Sequence, residues 1–361
     1  MAIPNDFPVI DPHIHQWDLL NTPRILSAPR KLLGWNKFLY EKALQMGASK
    51  ADRDYVGKVD YVAYDYLPGH YAADVSGLNI THVVHVEASW QGKNPLDAVD
   101  ETRWVDGLFA GPQNPSDIQL GGIVGFTELR NPDAETVLKA HKEASQKLVG
   151  IRQMLAFDKD KGIMRFCDAA GVYRDPVWRE NFQLLEKYDL SFDAWFFHHQ
   201  LDEMVELANA YPDTRFVLCH MGTPIGLAGP FAGYGHRGSD RERVLRIWEH
   251  GMARVAECPN VHVKLSGFFM PVVGWGFEHL VQPPSHQQIL DKFKPLVDFV
   301  IEQFGVSRCM FASNFPMDKA SLSLKQLYDL YWDIAGGFSQ QEKQALFRDN
   351  AAAFYRIGQS A

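Results

Sequence analysis

Short apolar runs rich in β-forming residues alternate with helical stretches along almost the whole chain of 361 residues. Amphipathic periodicity predicts helices over Ala134–Lys147, Leu201–Tyr211, Asp240–Glu257 and Gln287–Phe304. The runs that predict strands are Val9–His15, Thr81–Ala88, Gly122–Glu128, Leu148–Leu155, Leu190–Phe197, Thr214–Cys219, Val261–Ser266 and Cys309–Ser313. Parallel strands need crossover connections, and eight such strands close into a barrel. We therefore predict an α/β fold of the (β/α)8 type, with an open doubly wound sheet as the alternative.

The connection between the first two runs is much longer than the others and is rich in aromatic residues. It contains Trp17, Trp35, Tyr40, Tyr55, Tyr61, Tyr64, Tyr66 and Tyr71. Long connections of this kind are usually functional unless they are disordered, and this one is too aromatic for disorder. We interpret residues 18–75 as a helical insertion over the barrel mouth, with a structural flap over an outer helix as the alternative. No repeat or linker is evident, so residues 1–361 are predicted to form one domain.

The charge pattern and the absence of certain segments exclude several classes of function. The net charge is −8, and the basic residues are scattered, so nucleic acid is not expected as a partner. No secretory signal is visible at the amino terminus, and no apolar run is long enough to span a bilayer. Four cysteines lie too far apart for a CxxC site, namely Cys167, Cys219, Cys258 and Cys309. These features predict a cytoplasmic protein with reduced cysteines and no membrane contact.

Two histidines lie at the end of the first predicted strand. Because side chains alternate across a strand, Asp11, His13 and His15 share one face. Two imidazoles in this arrangement converge on one metal ion or on one carbonyl oxygen, and a zinc-type ion accepts neutral imidazole nitrogen. An HxH motif also occurs on strands that face solvent, but its place at a strand end favours a functional role.

Two further predicted strands run directly into histidines. Phe192–Phe197 leads to His198, and Phe216–Cys219 leads to His220. In a barrel of this type the active site lies at the carboxyl ends of the strands. A single histidine there is more often a hydrogen-bonded core residue, but three strands that end in histidine favour a shared site.

The order of these motifs resembles the amidohydrolase superfamily. The similarity rests on the Asp-x-His-x-His motif, on the strand-end histidines and on four short phrases, which are Gly150–Arg152, His220–Pro224, Val263–Gly267 and Ser313–Pro316. More narrowly, the chain resembles the branch that contains sugar-acid lactonases and 2-pyrone-4,6-dicarboxylate lactonase, to which certain decarboxylases are related. The resemblance implies a TIM barrel with a hydrolytic site that binds substrate through cationic and hydroxyl groups.

One position departs from the pattern of that superfamily. Most members carry an aspartate at the end of the last strand as general base, whereas this chain has Asn314. An amide does not act as a base, and general-base catalysis typically contributes about 10²–10⁴-fold. Three replacements are conceivable: Asp318, a relay through His85 and Glu87, or a metal-bound water. In the simplest alternative, Asn314 only positions substrate or water.

Other polar residues at strand ends predict a pocket for an oxygen-rich or carboxylated small molecule. Arg152 is suited to a bidentate carboxylate contact, although a buried ion pair is an equal alternative. Lys264 and Ser266 share the inner face of the seventh strand, where a lysine needs a partner such as Glu128 or a ligand. Glu87 and Trp90 complete the predicted substrate-binding set.

The leading hypothesis for function is hydrolysis of a lactone of a sugar acid or of an aromatic-degradation intermediate. His13, His15, His198 and His220 would polarise the carbonyl directly or through one divalent ion, zinc or manganese, and metal-free catalysis is an open alternative. Asn314 and Asp318 complete the predicted catalytic set. The competing hypotheses are non-oxidative decarboxylation of an unsaturated or aromatic acid, and a non-catalytic metabolite-binding barrel. A homo-oligomer is compatible with the sequence.

Overall fold

The computed structural model describes residues 2–282 and 284–358, and its centre is one sheet of eight parallel strands. The strands pair in sequence order, and each connection contains at least one helical segment. They are β1 (Pro8–Ile14), β2 (Asn79–Val86), β3 (Gln119–Gly125), β4 (Leu148–Ile151), β5 (Ser191–Ala194), β6 (Phe216–Leu218), β7 (Val261–Leu265) and β8 (Cys309–Phe311). All eight predicted strands are therefore confirmed, with somewhat different ends.

The helices surround the strands, and several close the carboxyl ends. They are α1 (Ser27–Leu33), α2 (Lys37–Gly47), α3 (Lys50–Val56), α4 (Pro68–Asp74), α5 (Val99–Ala110), α6 (Ala134–Ala144), α7 (Pro176–Lys187), α8 (Leu201–Ala210), α9 (Gly238–Ala256), α10 (His286–Phe304), α11 (Leu324–Ile334), α12 (Gln340–Gln344) and α13 (Asn350–Tyr355). Short 3-10 turns join many of these elements, and residues 345–349 form a π-helical turn.

Contacts between the first and last strands bring the sheet round into a barrel. His15 N donates to the Phe315 carbonyl at 2.8 Å, and Asn314 N donates to the His13 carbonyl at 2.9 Å. Ile14 and Phe315 form a parallel bridge at the same place. The predicted single-domain (β/α)8 barrel is thus confirmed, and the open sheet is excluded.

The helix α10 illustrates how the sequence produces the outer layer. The Ser285 side chain accepts a hydrogen bond from Gln288 N and so satisfies one of the free amides at the helix start. Ile289, Phe293 and Val297 are buried, at a spacing of four residues. This spacing puts them on one face of the helix, which packs on the barrel and holds the helix there.

The long connection between β1 and β2 contains α1 to α4 and is attached to the barrel at several points. Trp17 and Tyr66 form an antiparallel bridge, and Tyr71 donates a hydrogen bond at 2.7 Å to the buried Asp11 carboxylate in β1. Trp17 and Tyr55 face the space above the strand ends. Several of the aromatic residues that argued against disorder therefore hold this segment on the barrel, whereas Trp35 is exposed.

The structure bears on the expected lack of membrane-spanning segments and on the expected reduced cysteines. Among the described residues, no helix has the length and apolar character needed to cross a membrane. All four cysteines are free thiols, and three of them are buried, as expected for reduced core residues.

Candidate active site

The carboxyl ends of β1, β2, β4, β6, β7 and β8 bring most of the predicted polar residues together. His13, in β1, lies between two buried cations: Lys264 Nζ is 3.2 Å from its Nδ1, and Arg152 NH1 is 3.5 Å from its Nε2. Burial, followed by the nearby Lys264 charge, holds the pKa of His13 well below its usual value. His13 is therefore neutral, so it accepts a hydrogen bond from only one of the two cations, and its protonated ring nitrogen faces the other.

His15 has a defined tautomer because of its hydrogen-bond partner. Its Nδ1 lies 2.8 Å from the carbonyl oxygen of Val86, which only accepts hydrogen bonds. Nδ1 must therefore carry the ring proton. Burial and then the Arg152 charge keep the pKa of His15 well below its usual value, so the ring is neutral and Nε2 carries no proton. The Asn314 side chain also interacts with this ring.

His220 lies beside His13, with the two ring centres 4.6 Å apart. Its backbone has a positive φ of 58°, and its Nδ1 is 3.0 Å from Ser266 Oγ, which orients the ring. Gly267 makes this arrangement possible, since a Cβ there would lie 2.4 Å from His220 Cγ. Burial, then the Arg152 charge, lowers the pKa of His220 strongly.

The two predicted substrate-binding cations both have carboxylate partners inside the protein. Arg152 Nε donates to Glu87 Oε1 at 2.8 Å, and its NH2 donates to the Glu87 carbonyl at 2.7 Å. Lys264 Nζ lies 2.6 Å from Asp193 Oδ2, and neither side chain is exposed. For Arg152 the structure therefore shows the ion-pair alternative. The carboxylate that pairs with Lys264 is Asp193, whereas the suggested Glu128 pairs with Arg130.

Asn314 lies close enough to Asp318 for its side chain to lower the pKa of the Asp318 carboxyl. Asn314 has a positive φ of 58°, and none of the described residues accepts a hydrogen bond of good geometry from its buried Nδ2. Asp318 accepts hydrogen bonds at 3.1 Å from the backbone amides of Gly267 and Phe269. Burial raises the pKa of Asp318 to about 8, although these contacts and Asn314 lower it. Asp318 thus supports the turn after β7 and is protonated near neutral pH.

A cavity of about 180 Å³ opens above these groups. Its polar lining residues are His15, Glu87, Ser89, Arg152, His220 and Asn314. Its apolar lining residues are Trp17, Tyr55, Val56, Ala88, Met154, Met164, Phe166, Trp195, Met270 and Met317. The polar residues follow strands β1, β2, β4, β6 and β8, whereas most of the apolar ones belong to the connections. The cavity therefore has a polar floor and apolar walls.

Six predicted site residues do not line this cavity, namely His13, His198, Asp318, Lys264, Ser266 and Trp90. The strand β5 ends at Ala194, three residues earlier than predicted, so Trp195 lines the cavity in place of His198. His198 Nδ1 accepts a hydrogen bond from Ile225 N, and burial lowers the pKa of His198 to about 3. The ring of Trp90 stacks instead on the Arg24 guanidinium, 4.8 Å from the ring centre.

Among the described residues, one group could hold a metal ion, and a lysine already contacts it. His13, Asp193 and Cys219 place ligand atoms within 4.8 Å of one another, but Lys264 Nζ already contacts two of these residues. Burial raises the pKa of Cys219 to about 12, so its thiol stays protonated. A dication in the cavity would also lie beside the positive Arg152 guanidinium and be repelled by it. The Glu87 carboxylate already pairs with Arg152, so it is not free to bind the ion.

Sequence reasoning missed three residues of this region, namely Asp193, Tyr355 and Trp195. Asp193 lies in an apolar strand and holds Lys264, and Tyr355 donates hydrogen bonds to both Asp193 oxygens at 3.0 and 2.9 Å. A charged residue within a buried strand is costly unless it is paired, and this signal was present in the sequence. Trp195 had no comparable signal, because its place in the cavity depends on where β5 ends.

Histidines, an arginine and an amide surround one cavity at the carboxyl end of the barrel. This arrangement is typical of an enzyme active site. Residues 10–357 match the family described as "Amidohydrolase". The chain therefore belongs to the amidohydrolase family, and the predicted amidohydrolase-type hydrolase is confirmed.

Relatives of the chain include one protein with a known activity. The chain is 31% identical to an uncharacterised protein, y4mH, of Sinorhizobium fredii over 98% of this chain and 100% of that one. It is 28% identical to an L-fucono-1,5-lactonase of Burkholderia ambifaria over 66% of this chain and 71% of that one. An amidohydrolase of Burkholderia multivorans with bound zinc has a TM-score of 0.69 at 20% identity, and the match covers 97% of this chain and 100% of that one, which shows a shared fold.

Proposed function

We propose that this chain opens a lactone by attack of water on the ring carbonyl. The observation that carries the proposal is the His15 tautomer, because it leaves an unprotonated Nε2 on a residue that lines the cavity. Arg152 and Asn314 line the same cavity and offer hydrogen-bond donors. The similarity to an L-fucono-1,5-lactonase supports a lactone as substrate.

The polar floor of the cavity supplies each group that the reaction requires. The carbonyl oxygen accepts hydrogen bonds from Asn314 Nδ2 and from the Arg152 guanidinium, which stabilise the negative charge that develops there. His15 Nε2 takes a proton from the attacking water as its oxygen bonds to the carbonyl carbon. The bond from that carbon to the ring oxygen then breaks, and His15 returns the proton to the leaving oxygen. The product is an open-chain hydroxy acid.

In this mechanism the amide at position 314 is a donor and does not replace the missing base. A carboxylate there would repel the developing oxyanion, whereas Nδ2 of Asn314 attracts it. His13 has no place on the cavity wall, so we assign it a positioning role between Arg152 and Lys264. Ser266 positions His220 in the same way.

The test is an acid-release assay with a panel of lactones and purified protein. We expect His15→Ala to lower kcat/KM by about 10²–10⁴-fold, because the general base is lost. Asn314→Asp should lower kcat by about 10²–10³-fold, because one oxyanion donor is lost. His279→Ala, at a histidine with a side chain 75% exposed, is the matched control and should retain full activity.

Other outcomes of this assay distinguish the competing functions. Unchanged turnover in His15→Ala would refute the proposed base. Release of carbon dioxide from an unsaturated or aromatic acid, without turnover of any lactone, would identify a decarboxylase instead. Saturable binding without turnover of either class would identify a metabolite-binding barrel.

The remaining predictions concern the surroundings of the site. One zinc or manganese ion remains a prediction of the sequence, but the donor groups lead us to expect that lactone opening survives chelation. We propose that residues 18–75 cover the site, since Tyr55 and Val56 of α3 line the cavity. A cytoplasmic location, a small-molecule substrate without a nucleic-acid or membrane partner, and a homo-oligomer also remain predictions.

A further inference from the structure

We infer that the preferred lactone is small, uncharged and apolar, rather than a polyhydroxylated or carboxylated one. This inference rests on the proposed lactone opening and specifies the class of lactone that the reaction would use. It draws on three features of the cavity: its volume, the ion pairing of its cations, and the engagement of the polar atoms on its aromatic walls.

The volume of the cavity is enough for about one ring. At about 180 Å³ it is close to an engineered protein cavity of about 150 Å³ that binds benzene. A six-membered lactone is only one exocyclic oxygen larger than benzene. Each additional hydroxyl or carboxyl group must therefore displace a wall residue or point out through the mouth.

The cations at the floor offer no pair of free donors to a substrate carboxylate, since only NH1 of Arg152 is not bound to Glu87. The Nε and NH2 groups of Arg152 are both engaged with Glu87, so the guanidinium has no free fork for bidentate binding. Lys264 is paired with Asp193 and does not line the cavity. A carboxylated lactone would consequently bring an uncompensated charge into a buried site, which is costly.

The aromatic walls do not offer hydrogen bonds to substrate hydroxyls. Trp17 Nε1 donates to the Tyr64 carbonyl at 2.7 Å, and Trp195 Nε1 donates to Thr223 Oγ1 at 2.8 Å. The Tyr55 hydroxyl lies 3.5 Å from the Met270 sulfur. With these polar atoms turned to protein groups, the walls present ring surfaces to the ligand.

Thioether side chains complete the walls. Met154, Met164, Met270 and Met317 all line the cavity. Methionine is flexible and polarisable, so it packs on apolar ligands of varied shape and gives only weak hydrogen bonds. Hydroxyl groups of a sugar lactone that face these walls would lose water without gaining equivalent partners.

The test compares three six-membered lactones: δ-valerolactone, glucono-1,5-lactone and 2-pyrone-4,6-dicarboxylate. Each kcat/KM is divided by the uncatalysed hydrolysis rate of the same lactone. We expect the value for δ-valerolactone to exceed both others by at least about 10²-fold, which is the discrimination an apolar pocket achieves against one added hydroxyl. Preference for glucono-1,5-lactone or for the dicarboxylate overturns the inference and leaves the proposed lactone opening intact.

A pair of variants examines the wall directly. Met164→Gln keeps the length of the side chain and adds hydrogen-bonding groups, so it should reduce the preference for δ-valerolactone by about tenfold. Met46→Gln, at a methionine that is 78% exposed on α2, is the matched control and should not change the preference. An unchanged preference in Met164→Gln overturns the role assigned to the walls.

A binding measurement separates this inference from the proposed reaction. δ-Valerolactam and gluconolactam resist hydrolysis, and their binding is followed by the fluorescence of Trp17 and Trp195. Tighter binding of δ-valerolactam supports the inference even if no lactone is opened, in which case only the proposed reaction fails. Tighter binding of gluconolactam overturns the inference whatever the turnover.

Discussion

The buried pair of Lys264 and Asp193 gives the sharpest test of how this barrel is held together. Neither side chain is exposed, and Lys264 Nζ is 2.6 Å from Asp193 Oδ2. In Lys264→Met the Asp193 carboxylate keeps its hydrogen bonds from the Tyr355 hydroxyl but loses its ion pair with the lysine. Breaking a buried pair in this way costs about 3–5 kcal/mol of the free energy of unfolding, because the remaining charge is uncompensated.

The expected change in melting temperature follows from the size of the chain. An unfolding entropy of about 2.1 cal/mol/K per residue gives about 0.76 kcal/mol/K for 361 residues. Lys264→Met should therefore lower Tm by about 4–7 °C. Urea unfolding at pH 8, monitored by circular dichroism, measures the same loss of stability. The midpoint concentration of urea should fall while the m value stays constant.

Two further variants show whether the loss comes from the unpaired charge. Lys264→Met combined with Asp193→Asn removes both charges and keeps an acceptor for Tyr355, so it should recover most of the stability. Lys294→Met breaks a half-exposed pair with Asp298 on α10 and should cost about 0.5 kcal/mol or less.

A loss of less than about 1 kcal/mol in Lys264→Met at pH 8 would contradict the reasoning, given the range expected for a broken buried pair. Failure of the double variant to recover stability would show that packing at Lys264, rather than charge, is what matters.

Two other predictions concern the turn after β7. Burial raises the pKa of Asp318 to about 8, so its protonated form stabilises the fold fully below about pH 3.9, and this contribution is lost as the pH rises through 8. Unfolding at pH 4 and pH 8 should therefore show a smaller pH-dependent loss for Asp318→Asn than for the unmodified chain. Gly267→Ala should displace His220 and lower kcat/KM for lactone opening, since the new Cβ would lie 2.4 Å from the ring.

The predictions for Asp318→Asn and Gly267→Ala each have a control or a result that would refute them. Gly107→Ala adds a methyl group where no atom lies within 4 Å, and it should leave activity unchanged. Equal pH dependence with and without Asp318 would show that its carboxyl is ionised at neutral pH. Full activity in Gly267→Ala would show that lactone opening does not depend on the position of His220.

Local sequence patterns were sufficient to predict the barrel and several residues of its floor. Hydrophobic runs and helical periodicity predicted all eight strands, because parallel strands buried on both faces are continuously apolar. The alternation of side chains placed His13 and His15 on one face of β1, at the edge where barrel sites lie. His220 and Asn314 follow the ends of β6 and β8 and were identified in the same way.

The partners and directions of side chains were not accessible from local patterns. Whether His198 reaches the site depends on where β5 ends, and the apolar residues 195–197 fit either a strand or a buried connection. Lys264 pairs with Asp193 because the barrel brings residues 71 positions apart to one interior layer. The walls of the cavity come from connections without periodicity, so their closeness appears only when the chain is folded. Short-range preferences therefore determine the strands and helices, whereas contacts between distant segments determine the chemistry of the site.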